Sequence, residues 1–175
     1  MIAEELDKAI RNIPDFPKAG INFKDITPVL MDAGLCKKIT EDIYDKFSGD
    51  GIDVIVGVES RGFLFGMLIA QLFSIPFVTV RKKGKLPHKT ISYKYDLEYG
   101  SAEIEMHIDA IKPGSNVLVH DDLLATGGTA KAAAELVRQS GGNVSGFAFL
   151  VELEALKGKE VLTDFSKNIY SITKY

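Results

Sequence analysis

Cysteine is almost absent from this sequence of 175 residues, and Cys36 is its single thiol. One thiol cannot form an internal disulfide, and no group of cysteines and histidines has the spacing of a zinc site. An excess of positive charge is also missing, since the formal net charge is -3. The chain as a whole therefore does not attract nucleic acid or anionic lipid, and local lysines and arginines must hold any phosphorylated ligand. We expect a small-molecule partner and no nucleic acid.

Long apolar runs are lacking too. The longest, residues 62–73, has the length of a buried helix and falls well short of the ~20 residues that a membrane span requires. The first eleven residues carry Glu4, Glu5 and Asp7 without an uninterrupted apolar core, which is not the pattern of a signal peptide. We therefore predict a cytoplasmic protein without membrane contact. Its length and ordinary composition predict a single domain, 1–175.

Short runs of β-branched residues predict buried strands, and apolar residues at helical spacing predict helices. The strands fall at 54–58, 76–80, 116–120 and 147–151, and the helices around 6–13, 35–47, 63–73 and 128–139. Because strand and helix alternate, we predict an α/β fold: a parallel sheet flanked by helices, with ligands beyond the carboxyl ends of the strands. Two stretches around Gly100 alternate in polarity and predict an exposed hairpin or flap.

Residues 121–129 read Asp-Asp-Leu-Leu-Ala-Thr-Gly-Gly-Thr, and the last predicted helix begins within them. Small residues at a helix N-terminus leave N–H groups free for an anion, and the hydroxyls of Thr126 and Thr129 add donors. The carboxylates of Asp121 and Asp122 can accept hydrogen bonds from vicinal sugar hydroxyls. The alternative is an ordinary corner in which Asp122 or Thr126 only caps the helix. Neither a Walker loop nor a Gly-x-Gly-x-x-Gly fingerprint is present.

This segment closely resembles the loop that binds 5-phosphoribosyl 1-pyrophosphate (PRPP) in type I phosphoribosyltransferases, in the form found in the adenine phosphoribosyltransferases. The resemblance extends from about Ile13 to Lys159. It implies the type I phosphoribosyltransferase fold, with a small N-terminal hood over residues 13–32 and a flexible β flap over residues 84–107. It also implies that the ribose and the 5′-phosphate of PRPP are bound by Asp121, Asp122, Ala125, Thr126, Gly127, Gly128 and Thr129.

Two further polar segments follow the first and second predicted strands. The turn at 59–61 offers N–H groups and a guanidinium to an anion, although an arginine at such a corner can also pair with a nearby acid. Residues 81–89 form a basic run, a pattern that is usually a solvated loop. The resemblance implies instead that both segments bind the pyrophosphate of PRPP, through Glu59, Ser60, Arg61, Arg81 and Lys85.

The predicted flap contains the sequence Tyr-Asp-Leu-Glu-Tyr-Gly at 95–100, which is similar to the segment that closes over the reacting bond in this family. Closure would exclude water, which competes as a nucleophile. The resemblance implies that Glu98 is the catalytic acid/base and that Tyr99 positions the reactants. On the pattern alone, Glu98 is a solvent-facing hairpin acid.

Residues 14–28 resemble the family's hood over the purine. This implies that adenine is bound by Asn22, Phe23 and Lys24, with the ring of Phe23 stacking on the base and the backbone near Asn22 reading its edge. On the pattern alone, Phe23 is a core residue. Lys24 and Lys159 stand where many members have arginine, which weakens any bidentate contact at position 24. His120 stands at a usually apolar strand position, and we expect it to be partly buried and not catalytic.

The resemblance implies a homodimeric enzyme of purine salvage that converts adenine and PRPP into AMP and pyrophosphate. Mg²⁺ is the expected cofactor, bound through substrate oxygens and without direct protein ligands. The alternatives are a phosphoribosyltransferase for another base and a non-catalytic PRPP-sensing regulator, because a fold alone does not determine function. The purine hood argues against the first. The acidic charge and the lack of a basic helix-turn-helix argue against the second.

Overall fold

The computed structural model describes residues 1–96 and 100–175. The described elements alternate between strands and helices over most of the chain, with short 3₁₀ turns at Thr27–Met31 and Glu154–Leu156. In chain order they are α1 (Ile2–Ala9), β1 (Arg11–Pro14), β2 (Asn22–Asp25), α2 (Ala33–Phe47), β3 (Val54–Val58), α3 (Gly62–Phe73), β4 (Phe77–Lys82), β5 (Thr90–Asp96), β6 (Ser101–His107), β7 (Asn116–Leu124), α4 (Gly128–Gln139), β8 (Asn143–Glu152) and β9 (Ile169–Lys174).

The main sheet has seven strands in the order β5-β6-β4-β3-β7-β8-β9. The strands from β4 to β9 in this order run parallel to one another. At the other edge, β6 pairs antiparallel with both β4 and β5. Strands β1 and β2 form a separate antiparallel pair. The sheet is thus mostly parallel, which confirms the α/β prediction.

Helices cover both faces of this sheet, because successive residues of a strand point to opposite faces. On one face, Val56 packs in the same apolar cluster as Ala133 of α4. On the other face, Ile55 packs in a cluster with Phe65 of α3 and Ile39 of α2. Since β4, β3 and β7 are parallel neighbours, their carboxyl ends meet at one edge of the sheet. The polar segments singled out in the sequence follow these ends.

The first predicted helix was too long. Helix α1 ends at Ala9, and Ile13 lies in β1, where it pairs with Phe23. The ring of Pro14 disfavours the helical conformation at the residue before it, so Ile13 is extended despite its helical spacing from Leu6.

The predicted strands lie in the right places, but their ends differ. Strand β7 was predicted to end at 120 and runs instead to Leu124, because its last residues pair with Val151 and Glu152 of the long strand β8. Asp121 and Asp122 therefore lie within the end of the strand and not after it. Strands β1, β2 and β9 were not predicted, since their sequences are short and mixed in polarity.

Candidate active site

Residues 125–129, here called the phosphate loop, connect β7 to α4. Gly127 caps the helix with a φ of 82°, a conformation that favours glycine. A Cβ at Gly127 would lie 2.6 Å from the carbonyl oxygen of Gly158, so the loop packs closely on the following segment. Among the described residues no side chain caps α4, and the capping alternative is therefore wrong. The loop and the first residues of α4 line a small pocket of about 80 Å³, and the free N–H groups at the start of a helix suit an anion.

Asp121 and Asp122 lie against the start of α3. Asp122 is buried, and its Oδ2 is 2.5 Å from Nε of Arg61. Oδ1 of Asp121 accepts the backbone N–H of Asp122 at 2.9 Å, and a Cβ at Gly62 would also lie 2.9 Å from this oxygen. Burial, followed by the charge of Asp122, raises the pKa of Asp121 well above its usual range. The two neighbouring acids therefore have different surroundings: Asp122 is paired with a guanidinium, and the pKa of Asp121 is raised.

Arg61 connects these acids to the hood. Its guanidinium carbon lies 5.3 Å from the centroid of the Phe23 ring, within cation–π range. Phe16 meets the same ring edge-on, with the centroids 5.3 Å apart. The turn before α3 contains a cis peptide between Glu59 and Ser60, and Ser60 is exposed. The structure thus brings the 59–61 turn, the acidic pair and Phe23 together around one guanidinium.

Glu59 and Arg81, two of the predicted pyrophosphate residues, pair with each other. The Glu59 oxygens lie 3.3 Å from Nε and Nη2 of Arg81, and Oε2 also accepts the N–H of Lys82 at 2.9 Å. Burial alone would raise the pKa of Glu59, but the Lys82 N–H and the Arg81 guanidinium outweigh it and hold the pKa below its usual range. Arg61 thus pairs with an acid, as the alternative for its turn expected, and Arg81, for which the alternative was a solvated loop, pairs with one as well. Both acids are themselves predicted site residues.

Glu105 of β6 shapes the basic run, and the sequence reasoning missed it. Its buried carboxylate accepts the N–H groups of Lys85 and Leu86 at 3.0 and 2.9 Å and the hydroxyl of Thr90 at 3.1 Å. Burial alone would raise the pKa of Glu105, but these hydrogen bonds outweigh it and lower the pKa. The Lys85 side chain is exposed at the turn that Glu105 holds. No signal in the sequence identified it, because its pairing in register with Arg81 exists only in the folded sheet.

The three predicted adenine residues lie in β2. Asn22 is exposed, and Phe23 is half-buried on the side of Arg61. The Lys24 ammonium donates to Oδ1 of Asn12 at 2.6 Å and lies 3.5 Å from the centroid of the Tyr175 ring. Because neighbouring strand residues point to opposite sides, the side chains of Lys24 and Phe23 diverge. Lys24 fastens the hood strand to β1 and to the chain terminus.

The predicted catalytic residues Glu98 and Tyr99 lie outside the described residues. Strands β5 and β6 are described up to the pair Asp96 and Ser101. Tyr95 is in contact with the phosphate loop, since its hydroxyl oxygen lies 3.2 Å from Oγ1 of Thr129. Both side chains line a cavity of about 450 Å³ between this hairpin and the ends of β3 and β4.

His120 and Lys159, the two remaining departures from the family pattern, make contacts within the fold. His120 is fully buried, where partial burial was expected, and its Nδ1 lies 2.9 Å from the carbonyl oxygen of Ala148. Its Nε2 has no hydrogen-bond partner among the described residues. Burial lowers the pKa of His120 to about 4. Lys159 pairs with the buried carboxylate of Glu152 at 2.7 Å, behind the phosphate loop.

These segments share one position: each follows, or packs on, the carboxyl ends of neighbouring strands. On this sheet, that arrangement defines a phosphoribosyltransferase domain. The phosphoribosyl transferase domain family matches residues 27–171. The adenine phosphoribosyltransferase of Methanococcus vannielii is 52% identical over 171 residues, which cover 98% of either chain.

Two solved structures agree with this result. The crystal structure of the adenine phosphoribosyltransferase of Thermoanaerobacter pseudethanolicus has a TM-score of 0.95, 48% identity and 99% coverage of both chains. The enzyme of Saccharomyces cerevisiae, complexed with D-2,5-dideoxy-2,5-imino-altritol 1,6-bisphosphate and adenine, has a TM-score of 0.91, 41% identity and 98% coverage of both chains. The chain belongs to the adenine phosphoribosyltransferase family.

Two features are absent from the described ranges, 1–96 and 100–175. No helix there is long and apolar enough to cross a bilayer. In the same ranges, no three acidic, histidine or cysteine side chains cluster in a way that could hold a metal ion.

Proposed function

We propose that the chain serves purine salvage by transferring the 5-phosphoribosyl group of PRPP to adenine, which yields AMP and pyrophosphate. The observation that supports this most directly is the convergence of Asp122, Arg61 and Phe23 beside the phosphate loop. The loop and the acid suit a ribose phosphate, and the aromatic ring suits a base. The related yeast enzyme is complexed with a bisphosphate and adenine, and it shares 41% of its sequence with this chain.

PRPP spans the site from the phosphate loop to the basic run. We assign its 5′-phosphate to the N–H groups of residues 125–129 and to the hydroxyls of Thr126 and Thr129. The ribose hydroxyls go to Asp121 and Asp122, which lie next to that loop. The pyrophosphate goes to Ser60, Arg61, Arg81 and Lys85, with Glu59 orienting Arg81. Arg61 then exchanges its carboxylate partner for phosphate oxygens, which are equally suited to charge-assisted hydrogen bonds, whereas Arg81 keeps Glu59.

Adenine stacks on the half-buried ring of Phe23, and the backbone of Asn22 and Phe23 reads its edge. The exocyclic amine of adenine donates and its N1 accepts, a pattern that one backbone C=O and one N–H can match. Lys24 supports this readout from behind, because its contacts with Asn12 and Tyr175 hold β2 in place.

The transfer replaces one bond to the anomeric carbon by another. N9 of adenine forms the new bond, the bond to pyrophosphate oxygen breaks with its electron pair, and the N9 proton must leave. We propose Glu98 as the acceptor of that proton and Tyr99 as the residue that positions the reactants, both on the family resemblance. Positive charge develops on the ribose as pyrophosphate departs, so positioning and charge stabilisation provide most of the catalysis.

Mg²⁺ fits this site as part of the substrate. Glu59 is the carboxylate among the residues assigned to the pyrophosphate, and Arg81 and Lys82 already occupy it. Asp121 and Asp122 are the carboxylates that lie near the ribose. We propose that Mg²⁺ is held by oxygens of PRPP, where it neutralises the leaving pyrophosphate, and that it has few direct protein ligands.

A second copy of the chain is the proposed partner of the outer face of α3. This helix has no charged residue, yet Leu64, Met67, Leu68 and Leu72 are exposed on it. Leu68 and Leu72, together with α2, border a groove of about 590 Å³. A helix that is apolar all round is normally buried, and a two-fold dimer would cover the same patch on both copies. Met67→Glu should convert the dimer into a monomer in light scattering, whereas Ile108→Glu, at an exposed position elsewhere, should not.

We propose that the chain works as a single catalytic domain, 1–175, with the hood at 13–32 and the flap at 84–107. We also place it in the cytoplasm, because PRPP and AMP are highly charged and stay in the compartment where they are made. The free thiol of Cys36 is compatible with a reducing compartment.

The function is tested by incubating the purified protein with PRPP and Mg²⁺ and with adenine, hypoxanthine, guanine or xanthine in turn. Only adenine should release pyrophosphate at a substantial rate, because hypoxanthine has an acceptor at O6 and a donor at N1. A site that reads hydrogen bonds can discriminate by about 10⁴-fold. Equal turnover of hypoxanthine would refute the choice of base, and PRPP binding without turnover of any base would point to a regulator.

A further inference from the structure

We propose that Tyr95 is a positioning residue for the 5′-phosphate of PRPP, acting through the hydroxyl of Thr129. The proposal rests on the proposed function, because it takes residues 125–129 as the phosphate site. It adds a residue of the β5–β6 hairpin to a site that otherwise consists of the β7–α4 connection.

The contact between the two residues has two parts. The hydroxyl oxygen of Tyr95 is 3.2 Å from Oγ1 of Thr129. The aromatic ring also covers the start of α4, since a Cβ at Gly128 would lie 3.8 Å from Cδ2 of Tyr95. Both side chains are partly buried, and both line the cavity between the hairpin and the sheet. The phenol is therefore held above the first turn of the helix by packing and by a hydrogen bond.

The direction of this hydrogen bond follows from the ligand. The hydroxyl of Thr129 has a single proton, and a phosphate dianion only accepts hydrogen bonds. When Thr129 donates to the phosphate, its oxygen can accept from Tyr95 but can no longer donate to it. The phenol proton must then point at Oγ1 of Thr129. The result is a chain of two hydrogen bonds that run from Tyr95 through Thr129 to the phosphate, and each strengthens the other.

Through this contact, Tyr95 affects the binding of the 5′-phosphate of PRPP and of no other part of the substrates. The phenol fixes the hydroxyl rotor of Thr129 before the phosphate arrives, which lowers the cost of ordering it on binding. Arg61, Arg81 and Phe23 make no described contact with Tyr95, so pyrophosphate and adenine binding do not depend on the phenol.

The experiment compares Tyr95→Phe, Thr129→Val and the double variant with the unmodified chain. The matched control is Tyr93→Phe: Tyr93 lies two residues earlier in β5, packs on the same core cluster, and has no hydroxyl partner among the described residues. KM for PRPP, KM for adenine and kcat are measured for each variant. Titration calorimetry with AMP and with inorganic pyrophosphate then measures binding at the 5′-phosphate end and at the pyrophosphate end of the site separately. Circular dichroism confirms that each variant is folded.

Tyr95→Phe should raise KM for PRPP and Kd for AMP by roughly 3- to 10-fold, the range for one neutral hydrogen bond. It should leave KM for adenine, Kd for pyrophosphate and kcat within about 2-fold. Thr129→Val should cost roughly 10- to 100-fold, because it removes a hydrogen bond to a charged group. The double variant should match Thr129→Val alone, and Tyr93→Phe should behave like the unmodified chain.

Unchanged AMP and PRPP binding in Tyr95→Phe would overturn the proposal. So would effects that multiply in the double variant, because Tyr95 would then contact the phosphate directly and not through Thr129. Weaker pyrophosphate binding in place of AMP binding would contradict it as well. If the unmodified chain bound neither AMP nor PRPP, the proposed function itself would fail, and that result is distinct from the other three.

Discussion

His120 should make the protein less stable in mild acid, and replacing it by leucine should remove that sensitivity. The side chain is fully buried in β7, with Nδ1 on the carbonyl of Ala148 and Nε2 unpaired among the described residues. A neutral ring that donates from Nδ1 fits this environment, whereas an imidazolium would bury a charge with one N–H unsatisfied. Leucine has a similar volume and cannot titrate.

The magnitude follows from proton linkage. The folded-state pKa of about 4 lies below the value of about 6.5 for an unfolded chain. Between these values the unfolded chain binds a proton that the folded chain does not, so stability falls as the pH drops below about 6.5 and stops falling near 4. At pH 5 the loss relative to pH 8 is about 2 kcal/mol, or about 4–8 °C in Tm for a protein of this size.

Urea unfolding of the unmodified chain and of His120→Leu at pH 8, 6 and 5, at one protein concentration, measures this loss of stability. The free energy of unfolding of the unmodified chain should fall by about 2 kcal/mol more than that of His120→Leu between pH 8 and pH 5. Any constant offset from the lost hydrogen bond cancels in this difference. Asp121, whose raised pKa contributes with the opposite sign, is present in both chains and cancels too. Parallel pH profiles would refute the reasoning, since His120 would then titrate as it does in water.

Four further variants test the proposed roles. Asp122→Asn should fold but bind PRPP at least about tenfold more weakly in titration calorimetry, because a charge-assisted acceptor is lost; unchanged affinity would rule out its role at the ribose. Glu98→Gln should lower kcat by about 10²- to 10⁴-fold with little effect on PRPP affinity, and a normal kcat would make Glu98 a bystander. Phe23→Ala should raise KM for adenine, because stacking is lost, and should keep the enzyme's preference for adenine over hypoxanthine. Asn22→Ala should change little, because the backbone of Asn22, and not its side chain, reads the base. Loss of the preference for adenine in either variant would contradict backbone readout.

Local signals predicted the centre of the fold well. The β-branched runs identified β3, β4, β7 and β8, and the glycines after β7 placed α4 at the residues where it begins and ends. Strands β1, β2 and β9 escaped prediction because their pairing partners, and not their own sequences, make them extended. The end of β7 was misplaced for the same reason, since its pairing with β8 continues past residue 120.

The candidate site was predictable as a set of residue types and not as a set of contacts. Arg61 and Asp122 are 61 positions apart, and Tyr95 and Thr129 are 34 apart. No periodicity shows which acid meets which arginine at that distance. Glu105 illustrates the limit, because in the sequence it is one of two acids on β6, and only the folded sheet buries it under the N–H groups of Lys85 and Leu86.

Arg61 touches the Phe23 ring and the Asp122 carboxylate at once, so on the proposed assignment the two substrates share a residue before either has bound. If PRPP draws the guanidinium onto its pyrophosphate, the face of Phe23 is cleared for the base and the carboxylate is released for the ribose. Adenine arriving first would have to displace a cation that two partners hold. The free-energy changes around a closed thermodynamic cycle sum to zero. If PRPP raises the affinity for adenine by some factor, adenine must therefore raise the affinity for PRPP by the same factor. A single side chain between two binding sites thus makes the enzyme's two affinities interdependent, without any movement of the sheet beneath them.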